Sequence, residues 1–287
     1  MKKRKKVVTR KHKNKKAKKV KKLHPRIIRK KKSKNIPKIV KTSSSKILKK
    51  KKVKLKKVSR VPIGIKKFDK LIEGGFEYGS VNLVVGGIGS GKTIFSMEFL
   101  IEGIKRNEPC LYIAFEESKE EFYNNMKEFG WDLKKAEDSG KFTFLEYSPE
   151  KVKMMLDEGG GAIESIVIRK KIKRLVIDSI SSFSLLFDEE SSRRQAIISL
   201  FDILKKWDNT ALLTLQKDPQ IYEMGKIYPS ELQADSIINI YFPNINNKRK
   251  RYIEILKMRG TKHSTEMHEL TIGNKGMEIG RAIKKKF

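Results

Sequence analysis

The stretch VNLVVGGIGSGKT, Val81–Thr93, constrains this 287-residue chain more than any other. An apolar, largely β-branched run ends at Gly86. After four intervening residues Gly91-Lys92-Thr93 opens a segment in which Ile94, Met97, Ile101 and Ile104 recur at i, i+3, i+7 and i+10, one face of a helix. A strand, a glycine turn and a helix in that order build a cradle for a phosphate chain. Glycines let the backbone curl so that its N–H groups point inward, and the helix N-terminus adds its positive end. Gly86, Gly87, Ile88, Gly89, Ser90, Gly91, Lys92 and Thr93 are therefore the expected nucleotide-binding residues. Lys92 is expected to reach the β- and γ-phosphates, and the Thr93 hydroxyl to ligate Mg²⁺.

The rest of the body keeps the same rhythm. Leu111–Phe115, Phe142–Tyr147, Leu175–Ile177 and Ala211–Leu215 are short apolar runs of strand length. Helix-compatible segments separate them. One follows Ser118, an expected N-cap with Glu121 three residues on. Another covers 150–170 around Gly159–Gly161, and a third is marked by Ile197, Leu200, Phe201 and Leu204. Strand alternating with helix predicts a mostly parallel sheet with helices on both faces. After Ser236 the pattern changes to strands separated by NINNKR and GNKG, so the domain is expected to finish in antiparallel hairpins.

Two carboxylate positions fit chemistry on a bound triphosphate. Asp178 ends the strand RLVID, where a carboxylate can face the glycine loop and hold the metal's water shell. Glu116 and Glu117 end YIAFEES; a carboxylate there could orient and deprotonate an attacking water, or the pair could simply open a helix in solvent.

Taken together, VPIGIKKFDKLIEGGFEYGSVNLVVGGIGSGKT, LYIAFEES, RLVIDSISSF and IEILKMRGTKH resemble the KaiC-type branch of the RecA superfamily over residues 61–280. The resemblance implies a RecA-like ATPase core that binds ATP with Mg²⁺. It also implies a homo-oligomer, in the family a ring such as a hexamer, with nucleotide held between neighbours. It assigns the water-activating role to Glu116 with Glu117 in support, and the metal carboxylate to Asp178. Lys257 and Arg259 of KMRG are similar to a pair that the family projects onto the neighbour's γ-phosphate. Gln216 falls where RecA-like proteins have a polar residue that senses nucleotide state. Departures from the clock protein are Glu231-Leu232 in place of a phosphorylated Ser-Thr pair, a single ATPase domain, and Asn274, Thr265 and Lys262 where adenine contacts stand across the interface. A strand-exchange recombinase would carry a helix-hairpin-helix domain and a Phe-x-x-Ala motif ahead of the core. Neither is found, and the segment Lys217–Ser230 holds only two cations, Lys217 and Lys226.

Charge divides the chain in two. Residues 1–60 hold 31 of the 67 Lys and Arg and none of the 33 Asp and Glu, so the remaining 227 residues are nearly neutral with 36 basic and 33 acidic side chains. The first segment has no Phe, Tyr or Trp and scattered apolar residues, so residues 1–58 are expected to be a disordered Lys-rich tail ahead of an ATPase domain over 59–287. Lysines without aromatics offer electrostatic contact without base reading: non-specific DNA or RNA, an acidic protein, or a solubilising extension with no partner. The tail has neither the apolar core of a signal peptide nor the Arg preference of a transit sequence, and no run of about 18 apolar residues spans a membrane. Cys110 is the single cysteine and His12, His24, His263 and His268 form no ligand pair, which excludes a disulfide framework and a cysteine-rich metal site and fits the cytoplasm. Two expectations follow. One is an ATP-hydrolysing switch or motor in an oligomer, addressed to nucleic acid by its tail. The other is a DNA-binding accessory protein, like recombinase paralogues, that binds ATP with little hydrolysis.

Overall fold

A computed structural model describes residues 58–219 and 229–283. The expectations for the Lys-rich segment up to residue 57, and for 220–228 within Lys217–Ser230, lie outside the described residues. The described chain opens with an antiparallel pair, β1 (Arg60–Val61) and β2 (Phe76–Glu77), bracketing α1 (Lys66–Leu71). There follow β3 (Val81–Gly86), α2 (Lys92–Lys105), β4 (Cys110–Ala114), α3 (Lys119–Lys127), α4 (Leu133–Asp138) and β5 (Phe142–Glu146). Next come α5 (Pro149–Asp157), α6 (Gly161–Lys170), β6 (Arg174–Asp178), α7 (Ile180–Ser184), α8 (Glu190–Lys206) and β7 (Thr210–Gln216). The end is strand-rich: α9 (Pro229–Gln233), β8 (Ser236–Tyr241), the small pair β9 (Asn244–Ile245) and β10 (Lys248–Arg249), then β11 (Arg251–Met258), β12 (His268–Gly273) and β13 (Gly276–Ala282).

The main sheet has nine strands in the order β13-β12-β11-β8-β3-β7-β6-β4-β5. From β8 to β5 all neighbours are parallel, and β11, β12 and β13 are antiparallel, as the sequence pattern predicts. β8 belongs to both halves, parallel to β3 on one side and antiparallel to β11 on the other. Central strands of a parallel sheet are covered on both faces and read as continuous apolar runs rather than alternating ones. β3 is buried along its whole length, and β7 up to its last residue, Gln216.

Two apolar layers cover the sheet. Val81, Leu83, Leu213, Ile197, Leu200 and Phe201 belong to one; Val84, Phe95, Phe99, Tyr112 and Phe122 belong to the other. Helix α2 buries more than the one stripe its spacing predicts. Met97 and Ile101 are buried, but so are Phe95, Phe99 and Leu100. The reason is a second contact surface: Phe95 meets Phe68 edge-on at 5.3 Å and Phe99 meets Phe76 at 5.8 Å, so the α1–β2 segment caps the helix from outside. Aromatic pairs prefer this edge-to-face geometry. The cap at Ser118 forms, its Oγ accepting from the Glu121 N–H at 3.4 Å, and the Ser118 hydroxyl also donates to the Glu121 carboxylate at 2.8 Å. Between α5 and α6, Gly159 and Gly160 adopt φ of +72° and +132°, a backbone that side chains resist, and the helix breaks there. Arg174, at the start of β6, is fully buried. It donates to Glu108 at 2.6 Å and to the carbonyls of Pro62 and Phe99 at 2.5 and 2.8 Å. Among the described residues no helix is long and apolar enough to cross a membrane.

Candidate functional site

The parallel strands all end at one edge, and ligands of open α/β sheets bind in the crevice there. In register, Gly86 lies between Gln216 of β7 and Ile240 of β8, and Asp178 stands beside Ala114. That register alone brings the glycine loop, Gln216, Asp178 and the Glu116-Glu117 pair to the same edge.

At Gly86 and Gly91 the loop leaves no room for a side chain. A Cβ on Gly86 would meet Ser90 Oγ at 2.4 Å and the Ile240 carbonyl at 2.8 Å, and one on Gly91 would meet Ile272 and Met277 at 2.7 and 2.8 Å. Gly89 and Gly91 adopt φ of +71° and +107°, which curls successive peptide units into a concave array. Lys92 Nζ donates to the Gly87 carbonyl at 3.0 Å. Burial pushes the Lys92 ammonium below its ordinary range, while the carboxylates of Asp178, Asp218 and Glu116 pull it back. That balance suits a cation held in a pocket where more negative charge is to arrive.

Asp178 is the hub of three hydroxyls. Its Oδ2 accepts from Thr93 at 2.8 Å and from Tyr112 at 2.7 Å, and its Oδ1 accepts from Thr214 at 2.5 Å. A hydroxyl that spends its proton on a carboxylate keeps its lone pairs, so Thr93 can still offer oxygen to a hard cation. Among the described residues no cluster of three or more His, Cys, Asp or Glu could hold a metal alone. Mg²⁺ fits that donor set, because it is commonly held by one or two protein oxygens together with substrate phosphates and water.

The two glutamates separate. Glu116 is exposed, accepts a hydrogen bond from the Ser182 hydroxyl of α7 and lies within electrostatic reach of Lys92. Glu117 is half-buried against α3, where Asn125 donates to it at 2.7 Å; burial raises its carboxyl, the Asn125 bond lowers it, and nearby Asp178 raises it again. Gln216 follows Leu215 at the end of β7, its backbone N–H donating to Ser181 Oγ at 2.7 Å.

Lys257 and Arg259 are elsewhere. Lys257 pairs with Ile237 and Met258 with Ser236, which in turn neighbours Asn82 at the start of β3. Asn82 and Gly86 are four strand residues apart, about 13 Å at ~3.3 Å per residue. The two cations therefore mark the opposite edge of the sheet from this chain's own loop. Lys257 Nζ donates to the carbonyls of Glu231 and Leu232, both at 3.2 Å, and Arg259 pairs with Asp235 at 3.3 Å. Arg259 also lines a cavity of about 400 Å³ together with Tyr78, Ser80, Asn82 and Asp235. Asn274 is on the side of the glycine loop. It sits in the β12–β13 turn, whose neighbours Ile272 and Met277 abut Gly91 of the same chain.

The model of the family "ATPase: KaiC" matches residues 61–284. The chain belongs to the KaiC family. It is similar to the circadian clock protein KaiC3 of Synechocystis sp., 33% identical over 225 residues that make up 76% of this chain and 45% of that protein. It is also similar to the circadian clock oscillator protein KaiC of Synechococcus elongatus, 31% identical over 229 residues, 77% of this chain and 44% of that one. The chain thus spans a little under half the length of these curated relatives. Among solved structures, a KaiC-like protein of the hyperthermophilic archaeon Pyrococcus horikoshii superposes with a TM-score of 0.69 at 34% identity, covering 78% of this chain and all of that one. Residues 61–284 of this chain are a RecA-like P-loop ATPase domain, and the match takes in the whole of the archaeal protein.

Sequence reasoning missed Tyr112, Thr214 and Ser182. Thr214 carried a signal, a hydroxyl in the apolar run ALLTLQ of a buried strand, where a polar group needs a partner. Tyr112 and Ser182 carried none, since a tyrosine in a strand and a serine in DSISSF are ordinary.

Proposed function

We propose that this chain binds ATP with Mg²⁺ in the Gly86–Thr93 loop and hydrolyses it to ADP and phosphate as a nucleotide-dependent switch or motor in a homo-oligomeric ring. One observation carries the reading: Thr93, Asp178, Lys92 and Glu116 are gathered at one edge of the sheet, whereas Lys257 and Arg259 are at the other. A ring built head to tail, each edge meeting the opposite edge of the next copy, brings the two sets together.

In such a contact Lys92 and the loop N–H groups hold the β- and γ-phosphates; Thr93 and Asp178 would hold Mg²⁺, which when bound would supply positive charge against the phosphates. Glu116 orients a water and takes its proton as the water oxygen attacks the γ-phosphorus. The bond from that phosphorus to the β–γ bridging oxygen breaks, and the electron pair stays on ADP. Lys257 and Arg259 from the neighbour stabilise the charge spread over the transferring phosphoryl. Glu117, held by Asn125 of α3, supports Glu116, and Gln216 links the loop edge to the segment after β7. Residues 1–58 supply non-specific contact with nucleic acid and leave the chemistry alone.

Glu116→Gln tests the catalytic half. It should lower kcat about 10²–10³-fold, the range expected when a positioned proton acceptor is lost. ATP affinity measured by equilibrium dialysis, and the mass in solution with Mg-ATP, should stay as in the parent. Unchanged turnover in that variant would reverse the choice in favour of an accessory protein that binds ATP with little hydrolysis.

A further inference from the structure

The outer surface of the glycine loop is gripped by a cation that the chemistry above does not use. Arg251, the first residue of β11, donates from Nη2 to the Gly89 carbonyl at 2.9 Å and from Nε to the Ser90 carbonyl at 3.1 Å, with a longer 3.3 Å contact from Nε to Gly89. Its guanidinium lies flat on Phe242, 4.2 Å from the ring centroid. Phe242 in turn lies beside the loop, its ring edge 3.5 Å from where a Gly89 Cβ would stand. Arg249 holds that ring from its own position, donating to the Phe242 carbonyl at 2.8 Å with its guanidinium 5.4 Å from the centroid.

Peptide geometry gives this grip a consequence. In a trans peptide unit the C=O and the following N–H point in opposite directions. Fixing the carbonyls of Gly89 and Ser90 on the outside therefore turns the N–H groups of Ser90 and Gly91 toward the inside. The Ser90 N–H is engaged within the loop, donating to the Gly87 carbonyl at 3.3 Å, so the Gly91 N–H is the one turned toward a ligand. Only a planar fork can hold two adjacent carbonyls and stack on a ring at once; an ammonium is a point charge.

We propose that Arg251 is a positioning residue for the phosphate loop: its fork, seated on Phe242, holds the turn at Ser90 and presets the Gly91 N–H for the β-phosphate before nucleotide arrives. The inference rests on the nucleotide reading of the loop and adds to it the device that keeps the loop open and correctly turned. A β-phosphate is common to ATP, ADP and inorganic pyrophosphate, so all three should depend on Arg251 alike, whatever the base.

The test uses the full chain and its Arg251→Ala, Arg251→Lys and Phe242→Leu variants, with Mg-ATP, Mg-ADP, Mg-GTP and Mg-pyrophosphate as probes in calorimetry. Arg251→Ala should weaken ATP, ADP and pyrophosphate by a similar factor, about 10- to 100-fold. It should leave the ATP-to-GTP preference as in the parent and raise KM more than it lowers kcat. Arg251→Lys should recover only part of the loss, and Phe242→Leu should show a smaller one. Amide exchange at Ser90 and Gly91 should quicken in Arg251→Ala while β3 and β7 keep parental protection, which separates loop positioning from general loosening of the fold. A variant that binds pyrophosphate as tightly as the parent overturns the inference alone. So does one whose loss is confined to the base preference, which would make Arg251 and Phe242 a base platform. Failure of the unmodified chain to bind any of the probes overturns the nucleotide reading instead, and this inference with it.

Discussion

The two edges of the main sheet are built in opposite ways. At the edge where the parallel strands end, the functional side chains hold one another: Thr93, Tyr112 and Thr214 converge on Asp178, and Ser182 holds Glu116. At the other edge, Lys257 and Arg259 rest on the carbonyls of Glu231 and Leu232 and on Asp235. The first edge is a preassembled site. The second is a pair of cations on weak, half-exposed partners, and exposed ion pairs of this kind contribute only about 0–1 kcal/mol. Groups held so lightly are easily released to a stronger anion. On the proposed function, the difference teaches that binding and catalysis are divided: one edge would bind alone, and neither would stabilise the transferring phosphoryl without the other.

Lys92→Ala should break the first edge outright. Its ammonium lies among Asp178, Asp218 and Glu116, and without it that group of carboxylates faces incoming phosphates uncompensated. Nucleotide affinity should fall at least about 100-fold, roughly the worth of one well-placed charge-assisted contact of ~3 kcal/mol. Far-UV circular dichroism should be unchanged. Parental affinity in this variant would mean that the loop is not the binding site.

The second edge should fail in turnover rather than in binding. Arg259→Ala should leave ATP affinity almost intact and lower turnover about 10³-fold or more, as loss of a cation acting on the transferring group does. Mixed with Lys92→Ala subunits, it should regain activity, because one type of mixed interface carries an intact loop from one copy and an intact Arg259 from the other. Turnover that is independent of protein concentration and shows no rescue on mixing would mean that each chain works alone and that the edges do not meet.

What was readable in the sequence follows the same division. The first edge was legible because covalent neighbours carry it: glycine spacing fixes the loop, and Asp178 and Glu116 each end an apolar run, so register alone delivers them to one place. The sheet order was legible in class but not in detail. Nothing local says that β7 inserts between β3 and β6, since that is decided by packing between segments far apart in the chain. Arg251 was invisible for the same reason, sitting among the cations of NNKRKR without any local sign that it alone reaches the loop. The location of Lys257 and Arg259 came only with the antiparallel register of β11 on β8.

The Lys-rich segment should be separable from both edges. Deleting residues 1–58 should leave ATP binding and turnover within about twofold, since every motif begins after Val61. The same deletion should remove most affinity for duplex DNA or RNA. In the full chain that affinity should fall with salt at a log–log slope of about −0.9 per phosphate neutralised, with little sequence preference. A truncated chain that still binds nucleic acid as tightly would assign binding to loops of the ATPase domain and sharpen the case for a recombinase-like accessory.

The smallest effect concerns how firmly the first edge is assembled. Glu98 of α2 is 8% exposed, and its Oε1 accepts from the Met277 N–H at 2.7 Å, which ties the β12–β13 turn to the helix that leaves the loop. Gly276, with φ of +105°, makes room for it, as a Cβ there would come within 1.9 Å of that oxygen. Burial raises the Glu98 carboxyl above its ordinary range, with the Met277 bond and Lys105 opposing and Glu102 adding to the rise. An acid whose folded pKa is raised holds its proton in the native state at a pH where the unfolded chain has lost it. Stability should therefore decline as pH rises from about 4.3, the ordinary glutamate value, through the folded pKa. Glu98→Gln keeps the acceptor and removes the charge, so its Tm should depend less on pH over that window and exceed the parent's above it. Nucleotide affinity should hardly change, because Glu98 holds the turn behind the loop rather than the phosphates. Parallel Tm curves for the two proteins would mean that the decline belongs to another carboxyl. A fall in ATP affinity at high pH in the parent, cured by Glu98→Gln, would instead mean that the first edge is only as preassembled as this one hydrogen bond makes it.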